Sequence, residues 1–482
     1  MRVQLSTLTL ILLTGLVLGG CAVGPDYKKA EPDAPKGWSR LDTAAEPVTS
    51  AGAPGDLSQW WRRLNDPLLT ELVERSLQSS PDLRQAQARL REVRARRDVA
   101  EGGQWPSVSA SGSASLGRSG MIPGAGSAGD RFSTSFDASW ELDVFGGKRR
   151  EVEAAEADLE STAASLDGTR VSLVGEVARN YIEVRALQIR LGLARSNLAS
   201  QAETLQLTGW RAQAGLVSEQ DVEQARSNHE ATLALLPSLE ISLAEAEHRL
   251  DILLGQAPGT LHARLAAGGE LPALPAQIAV GIPADTLRQR PDVRAAERKL
   301  AAETARVGVA VAARYPSFKL SGSIGAEALV RGTTGNSGGV LYSLLGGLTA
   351  PLFDAGRLRG QQEMQDAVRE QAQVAYEAAV LTALQEVENA LVSLARNRER
   401  GEALGRAAEA ARKAAELARQ RYTAGVIDFQ SVLDTQRSVL SLEDSLASTR
   451  ADEVLALIRL YKALGGGWSP PEEPGPAGED TP

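Results

Sequence analysis

Cysteine occurs once, at position 21, and histidine three times, among 482 residues; Trp, Tyr and Phe number seven, seven and six. One thiol excludes an intrachain disulfide framework and a thiolate metal cluster. His229, His248 and His262 form no metal-ligand spacing, so no metal site is expected. Few aromatics in a chain rich in Ala and Leu describe long helices rather than mixed globules. Basic residues do not prevail: 52 Lys and Arg face 61 Asp and Glu, a net charge of −9, which argues against nucleic acid as a partner. No Ser-His-Asp set stands in nucleophile-elbow context, no Walker loop is present, and no carboxylate pair sits in apolar surroundings. The chain therefore does not read as an enzyme and calls for no cofactor. Gly124-Ala-Gly-Ser-Ala-Gly129 matches a dinucleotide fingerprint but precedes no helix, and reads as a hairpin loop.

What is present is concentrated between Phe132 and Gly215. Every even position from 132 to 142 is apolar or Thr, while Ser133, Ser135, Asp137, Ser139 and Glu141 fill the odd ones, a strand period of two. After Phe145-Gly-Gly147 the pattern turns helical. Val152, Leu159, Leu166 and Leu173 recur every seven residues, then Val184, Leu191, Leu198 and Leu205 on a shifted stripe. Roughly 66 helical residues would reach about 100 Å, too long for a globule. A membrane wall continued by a helical tube is the reading.

The sole cysteine ends a targeting segment. Arg2, the run Leu8-Thr-Leu-Ile-Leu-Leu13 and Leu18-Gly-Gly-Cys21 form a signal peptide over residues 1–20, with a lipobox that makes Cys21 the lipidated first residue. The apolar run is too short to span a bilayer. Removing it takes one Arg, leaving 51 − 61 = −10. Residues 21–60 follow as an extended arm rich in Pro, Ala and Gly.

Two copies of one unit come next. Pro81-Asp82, Arg84 and Leu90 return 210 residues later as Pro291-Asp292, Arg294 and Leu300; Pro106-Ser107 returns as Pro316-Ser317, and Arg211-x-x-Ala-Gly215 as Arg421-x-x-Ala-Gly425. Only the strand-to-helix junction slips, with Phe145 and Arg149 matching Phe353 and Arg357 at 208. Such coincidence means tandem duplication. The copies span 61–255 and 284–465, each helix, strand, strand, very long helix, turn, helix; 256–283 joins them and 466–482 is expected to be disordered. Pro237 is expected to kink the last helix of the first copy. Strands are expected near 105–117, 131–145, 316–328 and 340–353. Four strands cannot close a barrel, and open edges are not tolerated in lipid, so two or more copies must close it together.

The turns between paired helices carry the other pattern. Arg211 complements its helix C-terminus, Gly215 suits a left-handed position, and Ser218 with Asp221 forms a capping box; Arg421, Gly425 and Asp428 repeat these parts. Leu216, Val217, Val426 and Ile427 are expected to be exposed there as a docking surface.

Cys21-Ala-Val-Gly-Pro-Asp-Tyr27, Trp60-Trp61, Asp66-Pro67, Arg290-Pro-Asp-Val-Arg294, Tyr315-Pro-Ser317, Phe353-Asp-Ala-Gly-Arg357 and the paired Arg-x-x-Ala-Gly turns resemble TolC-type outer-membrane efflux factors, above all their lipoprotein branch, often labelled NodT. The resemblance covers nearly the whole mature chain. It implies a mainly α chain with transmembrane β-strands: a homotrimer with a twelve-stranded barrel on a periplasmic α-barrel, and a belt built from the inter-repeat and C-terminal segments. It implies an outer-membrane location with a lipid anchor such as palmitate on Cys21. The implied role is the exit duct of a tripartite efflux pump, with a periplasmic adaptor and an inner-membrane transporter of the resistance-nodulation-division class as partners. The resting gate would lie before the second turn, where this chain has Arg412, Lys413, Glu416 and Arg419; an aspartate pair seen in some relatives is not evident. A porin-like channel, a type I secretion duct and a lipid-anchored coiled coil are the alternatives.

Overall fold

The computed structural model describes residues 22–29, 34–39, 49–50, 56–117, 129–275, 278–331 and 335–468. Cys21, the signal peptide and all of residues 118–128 lie outside them. Arg89–Ala163 and Ala295–Glu377, with the described N-terminal segment, form one compact unit; Ala164–Arg294, Ala378–Pro482 and Pro32–Ala88, so far as described, form a second.

The first unit is built on a four-stranded antiparallel sheet, β1 (Ser107–Gly117), β2 (Gly129–Leu142), β3 (Ser317–Arg331) and β4 (Gly335–Thr349), in that order. In register, Ala110, Phe136, Ile324 and Tyr342 line up across it, so all even positions share one face. That face is apolar on every strand. The odd face carries serines on β1 to β3, but β4 breaks the rule with Leu341 and Leu345 on that side, a departure from the expected single apolar face. Strand β4 also begins five residues earlier than expected. Its Gly-rich start resembles a loop, yet pairing with β3 supplies the hydrogen bonds.

The Ala-Val-Gly-Pro-Asp-Tyr segment is clasped within the same unit. Val23 N–H donates to the Phe145 carbonyl at 3.1 Å. Gly24 has φ +95°, and a Cβ there would stand 2.5 Å from the Gly308 Cα, so only glycine fits. Buried Arg150 donates to Asp26 at 2.5 Å and Glu153 at 2.7 Å. The Tyr27 hydroxyl donates to Glu297 at 2.8 Å while Arg298 lies over its ring.

The helices of the two units are α1 (Pro67–Ser79), α2 (Pro81–Gly102), α3 (Gly147–Gln213), α4 (Glu219–Leu253), α5 (Pro283–Gln289), α6 (Pro291–Ala312), α7 (Arg357–Thr423) and α8 (Phe429–Ala463). The duplication is visible in their lengths: α2 and α6 have 22 residues each, α3 and α7 have 67, α4 and α8 have 35. Helix α4 stays unbroken through Pro237. Leu166, Leu173, Val184 and Leu191 of the heptad stripes are buried. No helix among the described residues is long and apolar enough to cross a membrane.

The second unit closes on a core of Trp60, Leu64, Leu69, Leu72, Leu250, Leu265 and Tyr461, each burial contributing on the order of 2 kcal/mol. Trp60 stacks on Tyr461 at 5.3 Å. Asp66 caps α1 through the Leu68 and Leu69 N–H groups and accepts from the Tyr181 hydroxyl at 2.6 Å; burial first, then this bond, pushes Tyr181 up to about 12. Buried Arg290 donates to Asp292, Glu386 and the Ala463 carbonyl. Residues 466–468, expected to open a disordered tail, are instead packed: Gly467 N–H donates to the Leu57 carbonyl at 2.9 Å, and Trp468 is buried under Arg294.

Candidate functional site

The two helix turns lie together in the second unit, and their backbone explains their sequence. Gly215 (φ +73°) and Gly425 (φ +74°) each end a 67-residue helix. Gly215 N–H bonds the Ala212 carbonyl and Leu216 N–H the Arg211 carbonyl; Gly425 to Tyr422 and Val426 to Arg421 repeat the pattern, a Schellman closure in both copies. Ser218 and Asp221 form the capping box that opens α4, and Asp428 caps α8 through Ser431 N–H at 3.0 Å. The Ser431 hydroxyl and then its N–H, both donating to Oδ1, hold the Asp428 carboxyl below its usual range.

Side chains at the turns divide differently from expectation. Leu216 and Val426 are exposed, but Val217 and Ile427 are half-buried against a cluster of Ala225, Ala418, Tyr422, Phe429, Val432 and Leu433. An apolar residue just past the glycine stays out, whereas the next one folds back as the second helix starts. Arg211 does more than complement its own helix end. Its guanidinium crosses to the other copy, lies 4.4 Å from the centre of the Tyr422 ring and donates to the Tyr422 carbonyl at 2.5 Å. Arg421 has no such contact among the described residues. The sequence signal for this asymmetry is position 422, where the second copy has Tyr and the first has Ala212.

Before the turns, two of the candidate gate residues, Arg412 and Arg419, join a polar seam between helices of the two copies. Arg412 donates to Glu443 at 2.5 Å, and Asn197 donates to the same carboxylate at 3.3 Å. Arg419 pairs with Glu203 at 3.1 Å, and Arg190 with Asp444 at 2.7 Å. Glu416 accepts from Gln420 on its own helix. Thr204 accepts from Gln436, and Asn228 from Arg437. Along this seam the buried Gln201 and Gln436 carbonyl oxygens find no partner. Unmatched groups of this kind cost about 1–3 kcal/mol each and make a seam easier to part than an apolar one. Sequence reasoning missed Glu203, Glu443 and Asp444, whose spacing resembles any solvated helix face.

The sheet's odd face is the third element. Ser111 and Ser135 hydroxyls meet at 2.8 Å, as do Ser113 with Ser133 and Ser323 with Ser343. Among the described residues no group of three or more His, Cys, Asp or Glu is gathered to hold a metal ion.

Known proteins resemble this chain over nearly its whole length. The family model described as "Outer membrane efflux protein" matches residues 72–256 and 282–466, two segments 210 residues apart. Nodulation protein T of Rhizobium leguminosarum bv. trifolii is 35% identical over 461 residues, covering 94% of this chain and 96% of the relative. The pyoverdine export outer membrane protein OpmQ of Pseudomonas putida is 34% identical, over 90% of this chain and 92% of its own. Among solved structures, the outer-membrane channel OprN superposes with a TM-score of 0.84 at 37% identity, covering 93% of this chain and all of its own.

Proposed function

Because the chain belongs to the outer membrane efflux protein family, we propose that it is the exit duct of a tripartite pump, assembled as a homotrimer and anchored through acylated Cys21. Efflux across the outer membrane is the activity of its relatives and of this chain. The observation that carries the finer reading is the sheet: four antiparallel strands with one continuous apolar face and, among the described residues, nothing paired to the outer edges of β1 and β4. Such edges must be satisfied in lipid, and three copies would give twelve strands. Phe136, Trp140, Leu320 and Ile324 then face lipid, with Ser135, Ser139, Ser321 and Ser323 toward the lumen.

The residue ranges 61–255 and 284–465 act as quasi-equivalent arms, with 256–283 between them contributing to a belt. In this reading a periplasmic adaptor docks on the turns at Arg211, Gly215, Leu216, Val217, Ser218, Asp221, Arg421, Gly425, Val426, Ile427 and Asp428. Arg412, Glu416 and Arg419 belong to the resting gate, and the Arg211–Tyr422 tie holds the two turns in register until docking. The duct performs no catalysis; an inner-membrane transporter of the resistance-nodulation-division class supplies the energy. Native mass and planar-bilayer conductance of the protein extracted from outer membranes test this. A trimer that conducts is expected; a monomer, or an assembly without conductance, favours a lipid-anchored coiled coil instead.

A further inference from the structure

On the odd face of the sheet one carboxylate stands alone in a field of hydroxyls. Asp137 lies opposite Ser109 on β1 and Ser323 on β3, with Ser135 and Ser139 before and after it on β2. Its Oδ2 accepts from the Ser111 hydroxyl at 3.0 Å and from Ser135 at 2.9 Å. The other two carboxylates on this face, Glu327 and Glu141, each have a cation on the neighbouring strand. Arg131 pairs with Glu327 at 3.0 Å, and Glu141 stands directly opposite Lys319. Asp137 has no cationic partner among the described residues. Glu141 is four strand residues away, about 13 Å, and so beyond the Debye length of about 8 Å at physiological salt.

We infer that Asp137 is a charge-selecting residue of the duct: its carboxylate, repeated once per copy around the lumen, favours cationic solutes over anionic ones. This rests on the duct reading above, which makes the odd face the lumen wall. Serine hydroxyls are neutral and satisfy one another, so they add no competing field. They also fix the carboxylate in place: two donated bonds hold Oδ2 against the wall. An unmatched fixed charge raises the local concentration of counter-ions and lowers that of co-ions. A serine-lined wall without Asp137 would pass solutes with little regard to sign.

A thiol reporter reads this field directly, whatever the state of the gate. Ser139→Cys places a sulfur two residues along the same face, and the parent chain, whose only cysteine is Cys21, supplies the background. Cells carrying the protein are treated from outside with a cationic and an anionic methanethiosulfonate of similar size. The cationic reagent should react faster, and adding Asp137→Asn should lower the ratio of the two rates about fivefold. Asp137→Ser, which extends the hydroxyl field, should act alike, and Asp137→Glu should preserve the ratio. With Ser139→Cys alone, raising salt to about 1 M should flatten the ratio, because the Debye length shrinks to about 3 Å. That arm needs no change at Asp137, so a variant that fails to assemble does not protect the inference. A ratio unmoved by Asp137→Asn, or by salt, overturns it and leaves the duct standing. If neither reagent reaches Ser139→Cys, the odd face is not a water-filled lumen, and both readings fall.

Discussion

The Arg211 guanidinium sits 4.4 Å from the centre of the Tyr422 ring and bonds its carbonyl, joining the end of one 67-residue helix to the end of its duplicate. Each copy closes its own turn by backbone bonds, so this pair is an additional tie between copies. A cation over an aromatic face is worth about 0.5–2 kcal/mol. Arg211→Ala and Tyr422→Ala should each loosen the turns without unfolding the trimer, and single-channel conductance in planar bilayers should rise. Arg211→Lys, lacking the planar fork, should fall between. Unchanged conductance in all three would mean the pair is only packing.

Gly215 and Gly425 offer a cleaner probe. A Cβ at either would meet nothing within 4 Å, so the cost of substitution is the positive φ alone, about 1–2 kcal/mol. Gly425→Val should leave trimer yield normal, yet export should fail and pull-down of the periplasmic adaptor should weaken. Gly215→Val should act similarly but less completely. Wild-type export by both variants would place the docking surface elsewhere.

Register on the sheet is tested by neighbours in sequence. Ile324 lies on the apolar face, and Ser323 on the hydroxyl face. Arginine at a lipid-facing midplane site costs about 2–4 kcal/mol. Ile324→Arg should therefore cut trimer recovered from membranes sharply, and Ser323→Arg should not. Equal recovery would contradict the assignment of faces.

At the N-terminus, intact mass should show a chain that begins at acylated Cys21; a Met1 start or an unmodified cysteine refutes this. The clasp that follows predicts more. Gly24→Ala forces a Cβ against the Gly308 Cα at 2.5 Å. The arm should detach, and limited proteolysis should then cut it in Gly24→Ala but spare it in the parent. Barrel insertion should survive Cys21→Ser, since the sheet's apolar face greatly exceeds one anchor.

One pH dependence follows from His262, whose Nδ1 faces the buried Glu247 carboxylate at 2.8 Å. That hydrogen bond, and then the carboxylate charge, pull the histidine up from 6.5. A raised folded value stabilises below the unfolded value of about 6.5 and is lost as pH rises through the folded value. The thermal midpoint of the parent, relative to Glu247→Gln, should therefore drop between mildly acidic and mildly alkaline buffer. An identical difference at both ends would show that the pair does not titrate with folding.

Much of this architecture was legible because its signals are local and repeated. The alternation from Phe132 to Leu142 and the heptads from Val152 to Leu205 each fix one element, and the 210-residue echo transfers them to the second copy. The start of β4 was not legible, since Gly335-Asn-Ser-Gly-Gly339 has loop composition and becomes strand only through β3. Nor was the burial of Val217 and Ile427, or the reach of Arg211 to Tyr422. Those depend on which helices meet, and a single helix face contains no record of its neighbour.

The sheet's even strand count has a consequence of parity. Successive strands alternate in direction, so β1 and β4 run opposite ways. When β4 of one copy meets β1 of another, the seam is antiparallel like every joint inside the chain. A chain with three or five such strands would put a parallel seam at each junction and demand a different hydrogen-bond spacing there. Identical copies of this chain can thus join edge to edge with no special joint, and the wall so formed has no strand pair that marks where one molecule stops.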